Sequence, residues 1–420
     1  MSSNSATATA ASISGVPGLV LAGAVGTVGG YMLFHRLSGE CMVKLHHASE
    51  TVAVGGNDDQ EGVTLADLVK AECPALADPK EAYFYPTPYL QSGHLQTIYN
   101  TVMAKTINHI NDVKYERELV SMSDGGTVGI DWTPSFESVP RDDRPIVVVL
   151  HGLTGGSHEY YVRAVAKKFI SSPFNFRVVV ANFRGCGQTK LTSARFYSGG
   201  YTDDIRYIIR LIHERFPTSQ LFGIGFSLGS NVLVKYLGEE SDQCLLSGAI
   251  SVCNPFDFVK GAQNLGSPTF FNKYVYQPNL TGALKRLYFR NRDSVTGFES
   301  IIDEEEIKKA KTLPEYDNAV TTKLFGFDSC WDYYRDASSS QYIKRVRTPL
   351  LCVNALDDPI SPAAAIPFDE IKDNPHVVLA TTKYGGHLGW FTGTTSPMPW
   401  YPQPFAEFFH ALARRCHRPQ

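Results

Sequence analysis

The chain has 420 residues, of which 43% are hydrophobic and 19% charged, with a formal net charge of −3. This length and composition favour one α/β domain with an insertion over several small domains. The charge gives no electrostatic reason to bind nucleic acid. Eight cysteines without close metal-type spacing indicate reduced core residues and a cytosol-facing domain, with no metal site and no cofactor.

The N-terminus predicts a membrane anchor. Residues 1–12 are polar, and residues 13–34 form a run of apolar and small residues that is long enough to span a bilayer of ~30 Å. Six glycines in this run lower its helix propensity. Arg36 and Lys44 follow the run, so the positive-inside bias leaves the rest of the chain on the cytoplasmic face. The pattern does not distinguish endoplasmic reticulum, lipid droplet and mitochondrial membranes.

Residues 35–80 are predicted to hold a linker and a short helix. The linker is the polar, glycine-rich stretch 51–62, and the helix covers residues 64–76. The aromatic stretch within 81–100 is too apolar for a free linker, so we expect it to pack on the core. Residues 114–132 are typical of a hairpin, with its turn at 123–126.

Strands are predicted near residues 146, 177, 220, 248, 348 and 376, with helical segments between most of them. This alternation predicts a mostly parallel central sheet with helices on both faces, formed by residues 81–254 and 347–420. The interval 255–346 is far longer than one crossover helix requires, and it is rich in aromatic and charged residues. We interpret it as a lid or cap insertion whose apolar underside binds an acyl chain; the alternative is ordinary helices that pack on the sheet.

The motif Gly225-Phe226-Ser227-Leu228-Gly229 matches G-x-S-x-G, the strained turn that exposes a nucleophilic serine between a strand and a helix. An apolar strand-like run precedes the motif, and a segment with a helical apolar face follows it. The surrounding pattern therefore favours Ser227 as a nucleophile over an ordinary turn serine.

A serine nucleophile needs a histidine base and a carboxylate that orients the histidine. In proteins with this type of turn, the acid follows the serine along the chain and the histidine follows the acid. Asp357 and Asp358 directly follow the strand that begins near residue 348, and His387 follows the strand near 376 within a glycine-rich loop. We favour Asp357 as the acid because it comes first after the strand, with Asp358 as the alternative. His387 is the predicted base.

An oxyanion hole needs backbone N–H donors. The strand near residue 146 runs into the loop His151-Gly152-Leu153-Thr154-Gly155-Gly156, and we expect one donor from Leu153 and the other from Leu228. His151 is interpreted as a structural residue that hydrogen-bonds this loop.

The segments 151–163, 182–187, 225–229, 354–359 and 385–390 together resemble the YheT-like branch of the α/β-hydrolases. That branch contains bacterial esterases, fungal medium-chain alcohol O-acyltransferases that also act as acylglycerol lipases, and mammalian membrane-anchored lipases and phospholipases. The resemblance covers residues 80–410. It implies the α/β-hydrolase fold, the same triad of Ser227, Asp357 and His387, a membrane anchor and a lipid-like acyl substrate.

These features predict a membrane-anchored serine hydrolase that acts on lipid carboxylic esters through an acyl-serine intermediate. The sequence leaves open whether water or an alcohol takes the acyl group, and whether the substrate is an acylglycerol or a phospholipid. A non-catalytic membrane receptor that kept the hydrolase fold is the alternative from another class. Neither the acyl chain length nor the oligomeric state follows from the sequence.

Overall fold

A computed structural model describes Gly30 and residues 39–49, 53–54, 63–102, 112–135, 142–294 and 296–415. Within these ranges, no helix combines the length and the apolar character that crossing a bilayer requires. The predicted anchor at 13–34 lies outside the described residues except for Gly30. Most of the predicted linker at 51–62 also lies outside them.

The strands are β1 (Lys44–His47), β2 (Ala53–Val54), β3 (Val63–Thr64), β4 (Glu116–Ser121), β5 (Thr127–Thr133), β6 (Ile146–Leu150), β7 (Arg177–Asn182), β8 (Leu221–Phe226), β9 (Gly248–Val252), β10 (Leu350–Ala355), β11 (Val377–Thr382), β12 (Phe391–Thr392) and β13 (Met398–Pro399).

The helices are α1 (Leu65–Glu72), α2 (Pro74–Ala77), α3 (Gly93–Val102), α4 (Tyr160–Ile170), α5 (Asp203–Arg215), α6 (Leu228–Glu240), α7 (Phe258–Gly266), α8 (Gln277–Asn291), α9 (Glu304–Lys309), α10 (Leu313–Ala319), α11 (Thr321–Phe325), α12 (Cys330–Ala337), α13 (Phe368–Lys372) and α14 (Pro402–Arg415). A π-helical turn at Asn272–Tyr276 leads directly into α8.

Nine strands form the central sheet in the order β1-β11-β10-β9-β8-β6-β7-β5-β4. The six strands from β11 to β7 are mutually parallel, and β1, β5 and β4 pair antiparallel at the two margins. The predicted mostly parallel sheet is thus confirmed. The carboxyl ends of its parallel strands share one edge, where ligand sites of such sheets form.

Alternating burial along the central strands creates two hydrophobic layers. Val147 and Val149 of β6 face the layer that contains α1, α4 and α14, whereas Val148 and Leu150 face the layer that contains α5 and α6. Both faces of the sheet are covered, which explains why β6 is an unbroken apolar run rather than an alternating one.

Strand β1 was not anticipated from the sequence, which suggested only a linker before the short helix. Lys44 pairs with Thr381 and His47 with Val378, so this segment is the edge strand of the main sheet. Its four residues do not alternate between apolar and polar, so no sequence pattern predicted a strand here. The segment is a partly buried strand because it pairs with the edge of β11. The short helix predicted at 64–76 is present as α1 and α2.

Between β9 and β10, the chain forms helices α7 to α12 rather than one crossover helix. Several of their side chains face a cavity above the sheet, including Leu265, Leu284, Leu287, Tyr316 and Leu324. The interval that the sequence singled out is therefore helical and borders this cavity.

Candidate active site

Ser227 lies between β8 and α6 with φ 52° and ψ −118°, a backbone conformation that L side chains rarely adopt. The turn requires close approaches on both sides. A Cβ at Gly225 would lie 2.5 Å from the Gly229 carbonyl oxygen, and one at Gly229 would lie 2.4 Å from the His151 carbonyl oxygen. Glycine at both positions therefore lets α6 pack against the strand ends.

His387 contacts Ser227. Its Nε2 lies 2.8 Å from Ser227 Oγ, and its Nδ1 lies 2.8 Å from Asp358 Oδ2. A carboxylate only accepts hydrogen bonds, so Nδ1 carries the proton and Nε2 is free to accept the serine hydroxyl. The imidazole and the Asp358 carboxylate are both buried. The three side chains form a continuous hydrogen-bonded chain from Ser227 through His387 to Asp358, which we call the relay.

The structure corrects the expectation that Asp357 orients His387, because Asp358 makes that contact instead. Residues 355–358 form a turn in which the Asp358 N–H donates to the Ala355 carbonyl. Asp358 is the last residue of this turn and lies beside the histidine loop. Its second oxygen, Oδ1, accepts the N–H groups of Ile360 and Ser361 at 2.8 Å each. These two donors fix the carboxylate and leave Oδ2 for the imidazole.

Asp357 points elsewhere in the same turn. Its Oδ1 accepts the Gly386 N–H at 2.9 Å, while its Oδ2 is buried without a hydrogen-bond partner among the described residues. Burial is the main reason that the pKa of Asp357 rises to about 6, and the neighbouring Asp358 charge adds to the rise. Asp357 therefore supports the histidine loop without touching the imidazole.

In the oxyanion loop, the N–H groups on either side of Leu153 have tyrosine acceptors, whereas that of Leu153 has none among the described residues. Gly152 N–H donates to Tyr161 Oη at 2.9 Å, and Thr154 N–H donates to Tyr197 Oη at 2.8 Å. Between them, the N–H of Leu153 has no acceptor among the described residues. Leu228 opens α6, where first-turn N–H groups lack intrahelical acceptors. Both predicted donors, Leu153 and Leu228, border the same cavity as Ser227.

His151 hydrogen-bonds the oxyanion loop, as expected from the sequence. Its Nδ1 donates to the Gly152 carbonyl at 2.7 Å, and its Nε2 accepts the Phe183 N–H at 3.0 Å. Complete burial lowers the pKa of His151 to about 4, so the ring is neutral. A neutral ring with one donor and one acceptor matches these two partners.

Helix α3 supports the histidine loop from the other side, which the sequence did not predict. Thr97 Oγ1 accepts the His387 N–H at 2.9 Å, and Gln96 Oε1 accepts the Phe391 N–H at 2.8 Å. Gly93 is so close to Asp357 that a Cβ there would lie 1.9 Å from the Asp357 carbonyl oxygen. The only sequence signal was the apolar character of 81–100, which indicated packing but not the partner.

Cys253 is a second supporting residue that sequence reasoning missed. It follows β9 with φ 48°, and its buried Sγ accepts the Leu388 N–H at 3.2 Å. Cys253, Asp358 and His387 place three metal-ligand atom types within 4.8 Å of one another. Two of the three, the imidazole and the carboxylate, are hydrogen-bonded to each other in the relay. The seven described cysteines are all free.

The relay opens into a cavity of about 690 Å³. Its walls come from the oxyanion loop, α3 and the helices of the 255–346 interval, and most of its lining side chains are aliphatic or aromatic. One buried carboxyl, Asp317, also faces it and accepts hydrogen bonds from Thr321 and Tyr334. Burial raises the pKa of Asp317 to about 6. A mainly apolar chamber beside an activated serine suits an acyl chain.

The α/β-hydrolase fold model matches residues 145–393. A monoacylglycerol lipase of Saccharomyces cerevisiae is 33% identical over 84% of this chain and 85% of its own length. The human phospholipase ABHD3 is 30% identical over 85% of this chain and 84% of its own. Medium-chain fatty acid ethyl ester synthase/esterase 2 of S. cerevisiae is 29% identical over 84% of this chain and 90% of its own length.

The chain therefore belongs to the α/β-hydrolase family, and within it to the lipase and esterase type. The family resemblance that the motifs indicated is confirmed.

Proposed function

We propose that this protein hydrolyses carboxylic esters of lipids, with acylglycerols as the substrate class, through an acyl-serine intermediate. The observation that carries the proposal is the relay from Ser227 through His387 to Asp358, with both hydrogen bonds at 2.8 Å, at the wall of a large apolar cavity. A pure binding protein has no need of this combination.

In the proposed reaction, His387 Nε2 takes the hydroxyl proton as Ser227 Oγ attacks the ester carbonyl carbon. The Leu153 and Leu228 N–H groups stabilise the negative charge that develops on the carbonyl oxygen. His387 then gives the proton to the leaving alcohol, and Asp358 stabilises the imidazolium in between. Water releases the fatty acid from the acyl-serine, or a second alcohol takes the acyl group and forms a new ester.

A phospholipid is the second candidate substrate. The exposed Arg286 on α8 borders the cavity and makes no ion pair among the described residues, so it is available to a phosphate group. The relatives carry names for both activities, a monoacylglycerol lipase and a phospholipase.

We further propose that residues 13–34 anchor the protein in a membrane with the catalytic domain on the cytoplasmic side. Support comes from the length of the apolar run and from Arg36 and Lys44 after it. Protease treatment of sealed vesicles tests this orientation, because a protected catalytic domain would contradict it.

Lipid profiling with purified protein tests the activity. Monoacylglycerol, phospholipid and an acyl donor with ethanol are each compared with the Ser227→Ala variant. We expect the variant to lose turnover by roughly 10⁴-fold or more and to lose labelling by a fluorophosphonate probe. Retained labelling would refute Ser227 as the nucleophile.

A further inference from the structure

An exposed apolar patch lies beside the mouth of the cavity. Phe270 is 68% exposed, Tyr274 60% and Leu95 46%, and none of the three lines the cavity itself. Large apolar side chains this exposed mark an interaction surface when they are contiguous. We call Leu95, Phe270 and Tyr274 the rim.

Ring contacts connect Phe270 and Tyr274 to each other and, through Phe271, to helix α3. Phe270 lies 5.4 Å from Tyr274 and 5.7 Å from Phe271, measured between ring centroids. Phe271 stacks on His94 at 4.0 Å, and Leu95 is the next residue on α3. The aromatic side chains of 270–274 thus lie next to the start of α3, which carries the exposed Leu95.

The rim is also connected to the reacting groups. His94 Nδ1 lies 2.7 Å from the hydroxyl of Tyr276, which lines the cavity, and Thr97 on the same helix accepts the His387 N–H. The rim therefore adjoins the wall of the cavity that holds Ser227.

The charge of this region favours an anionic partner. From Phe258 to Arg292 the sequence contains no acidic residue, and its basic residues are Lys260, Lys273, Lys285, Arg286, Arg290 and Arg292. Lys273 is exposed, lies 5.2 Å from the Tyr274 ring centre and makes no ion pair among the described residues. Aromatic side chains beside an exposed cation without an ion-pair partner are typical of segments that insert into anionic lipid surfaces.

The path of the N-terminal chain points to the same occupant. Glu40 pairs with Lys383 and accepts a hydrogen bond from Tyr384, so the chain enters the fold beside the residues that lead into the histidine loop. Only residues 35–38 separate the apolar run 13–34 from Gly39, and four residues reach at most ~14 Å. A membrane that holds the run is therefore kept near the edge of the sheet that carries the active site.

We propose that Leu95, Phe270 and Tyr274 insert into the surface of an anionic lipid bilayer and set the cavity mouth against it, so that lipid esters enter from the membrane. The inference rests on the proposed function for its substrate but not for its docking surface. A second copy of this chain is the competing occupant.

The test uses full-length protein reconstituted into phosphatidylcholine vesicles that contain phosphatidylserine. The rim variant carries Phe270→Glu and Tyr274→Glu. The matched control carries Leu119→Glu and Tyr207→Glu, two residues that are 63% and 45% exposed on β4 and α5, away from the mouth. Each protein is assayed on a long-chain monoacylglycerol within the vesicles and on a soluble butyrate ester.

We expect the rim variant to lose at least about tenfold on the vesicle substrate, because removing one aromatic ring from an apolar environment costs that much or more. Its turnover of the soluble ester should match that of wild type, and the control should keep both activities. Equal losses on both substrates, or no loss on either, would overturn the proposal.

A binding measurement separates this inference from the proposed activity. Brominated phosphatidylcholine quenches tryptophan that enters the acyl region, so the Phe270→Trp variant should show quenching beyond that of wild type, and Leu119→Trp should not. If wild type hydrolyses neither ester while this quenching is present, the proposed function fails and the docking surface stands. If quenching is absent and the rim variant instead converts dimers to monomers in sedimentation, a second copy covers the rim and the proposal is wrong.

Discussion

At the scale of single residues, two adjacent aspartates have different surroundings. Asp358 contacts His387 and has its other oxygen fixed by two N–H donors, whereas Asp357 has one donor and one buried oxygen without a partner among the described residues. Chemically identical side chains one position apart thus take different tasks. The assignment follows from the turn geometry and not from residue type.

The pair provides a matched mutational test. Asp358→Asn should lower kcat on a soluble ester by about 10³- to 10⁴-fold, because an amide no longer stabilises the imidazolium or holds the correct tautomer. Asp357→Asn should lower it by less than about tenfold, because an amide oxygen still accepts the Gly386 N–H. Equal losses in steady-state kinetics, or a larger loss for Asp357→Asn, would contradict the assignment of Asp358.

Asp357 also predicts a pH dependence of stability. Its pKa is about 6 in the fold and 3.8 ordinarily, so the native state retains a proton that the unfolded state releases. Ionisation therefore destabilises the fold as the pH rises from about 4 to 6, and the penalty is complete above that range. Asp357→Asn removes the penalty and should raise the free energy of unfolding by about 1–3 kcal/mol at pH 7.5. The difference from wild type should vanish below pH 4 in urea titrations; a gain that is the same at both pH values would contradict this origin.

At the scale of elements, α3 acts as a brace for the histidine loop. It contacts that loop through Thr97 and Gln96 and the acid turn through Gly93. Helix α3 precedes the first strand of the hairpin, far from residue 387 in sequence. The base is thus held by an element outside the parallel sheet that carries the relay.

Two helix-terminal glycines test this brace. Gly93→Ala should destabilise the protein by about 1–3 kcal/mol and lower kcat, because its Cβ would overlap the Asp357 carbonyl oxygen. Gly266→Ala, at the end of α7, has no atom within 4 Å of its Cβ and should be neutral or stabilising by up to about 1 kcal/mol. Urea unfolding and soluble-ester kinetics measure both effects. A Gly93→Ala protein with wild-type stability and kcat would show that α3 does not brace the site.

At the scale of the whole molecule, β1 links the N-terminal chain to the active-site edge. It pairs with β11, and Glu40 before it contacts the residues that precede His387. Residues 44–47, for which the sequence predicted no strand, are therefore an integral part of the sheet. An anchor upstream of it is attached near the catalytic loops rather than at the opposite end of the domain.

Removal of residues 1–38 tests the anchor. Because β1 and the Glu40 contacts that precede it are retained, the shortened protein should fold and hydrolyse a soluble ester as the full chain does. It should leave carbonate-washed membranes for the supernatant, whereas full-length Ser227→Ala should stay in the pellet. Retention of the shortened protein after the carbonate wash would place the anchor elsewhere.

Local signals in the sequence determined the fold class, the positions of the parallel strands, the family and the loops that carry Ser227 and His387. Strand-forming runs and glycine-rich loops are short-range patterns, and parallel strands bring their carboxyl ends to one edge. Only the tertiary structure decided which aspartate orients His387, that Tyr161 and Tyr197 accept the N–H groups on either side of Leu153, and that α3 and β1 belong to the site's framework. Those outcomes depend on turn direction and on contacts between residues far apart in the chain, which no local pattern of residues encodes.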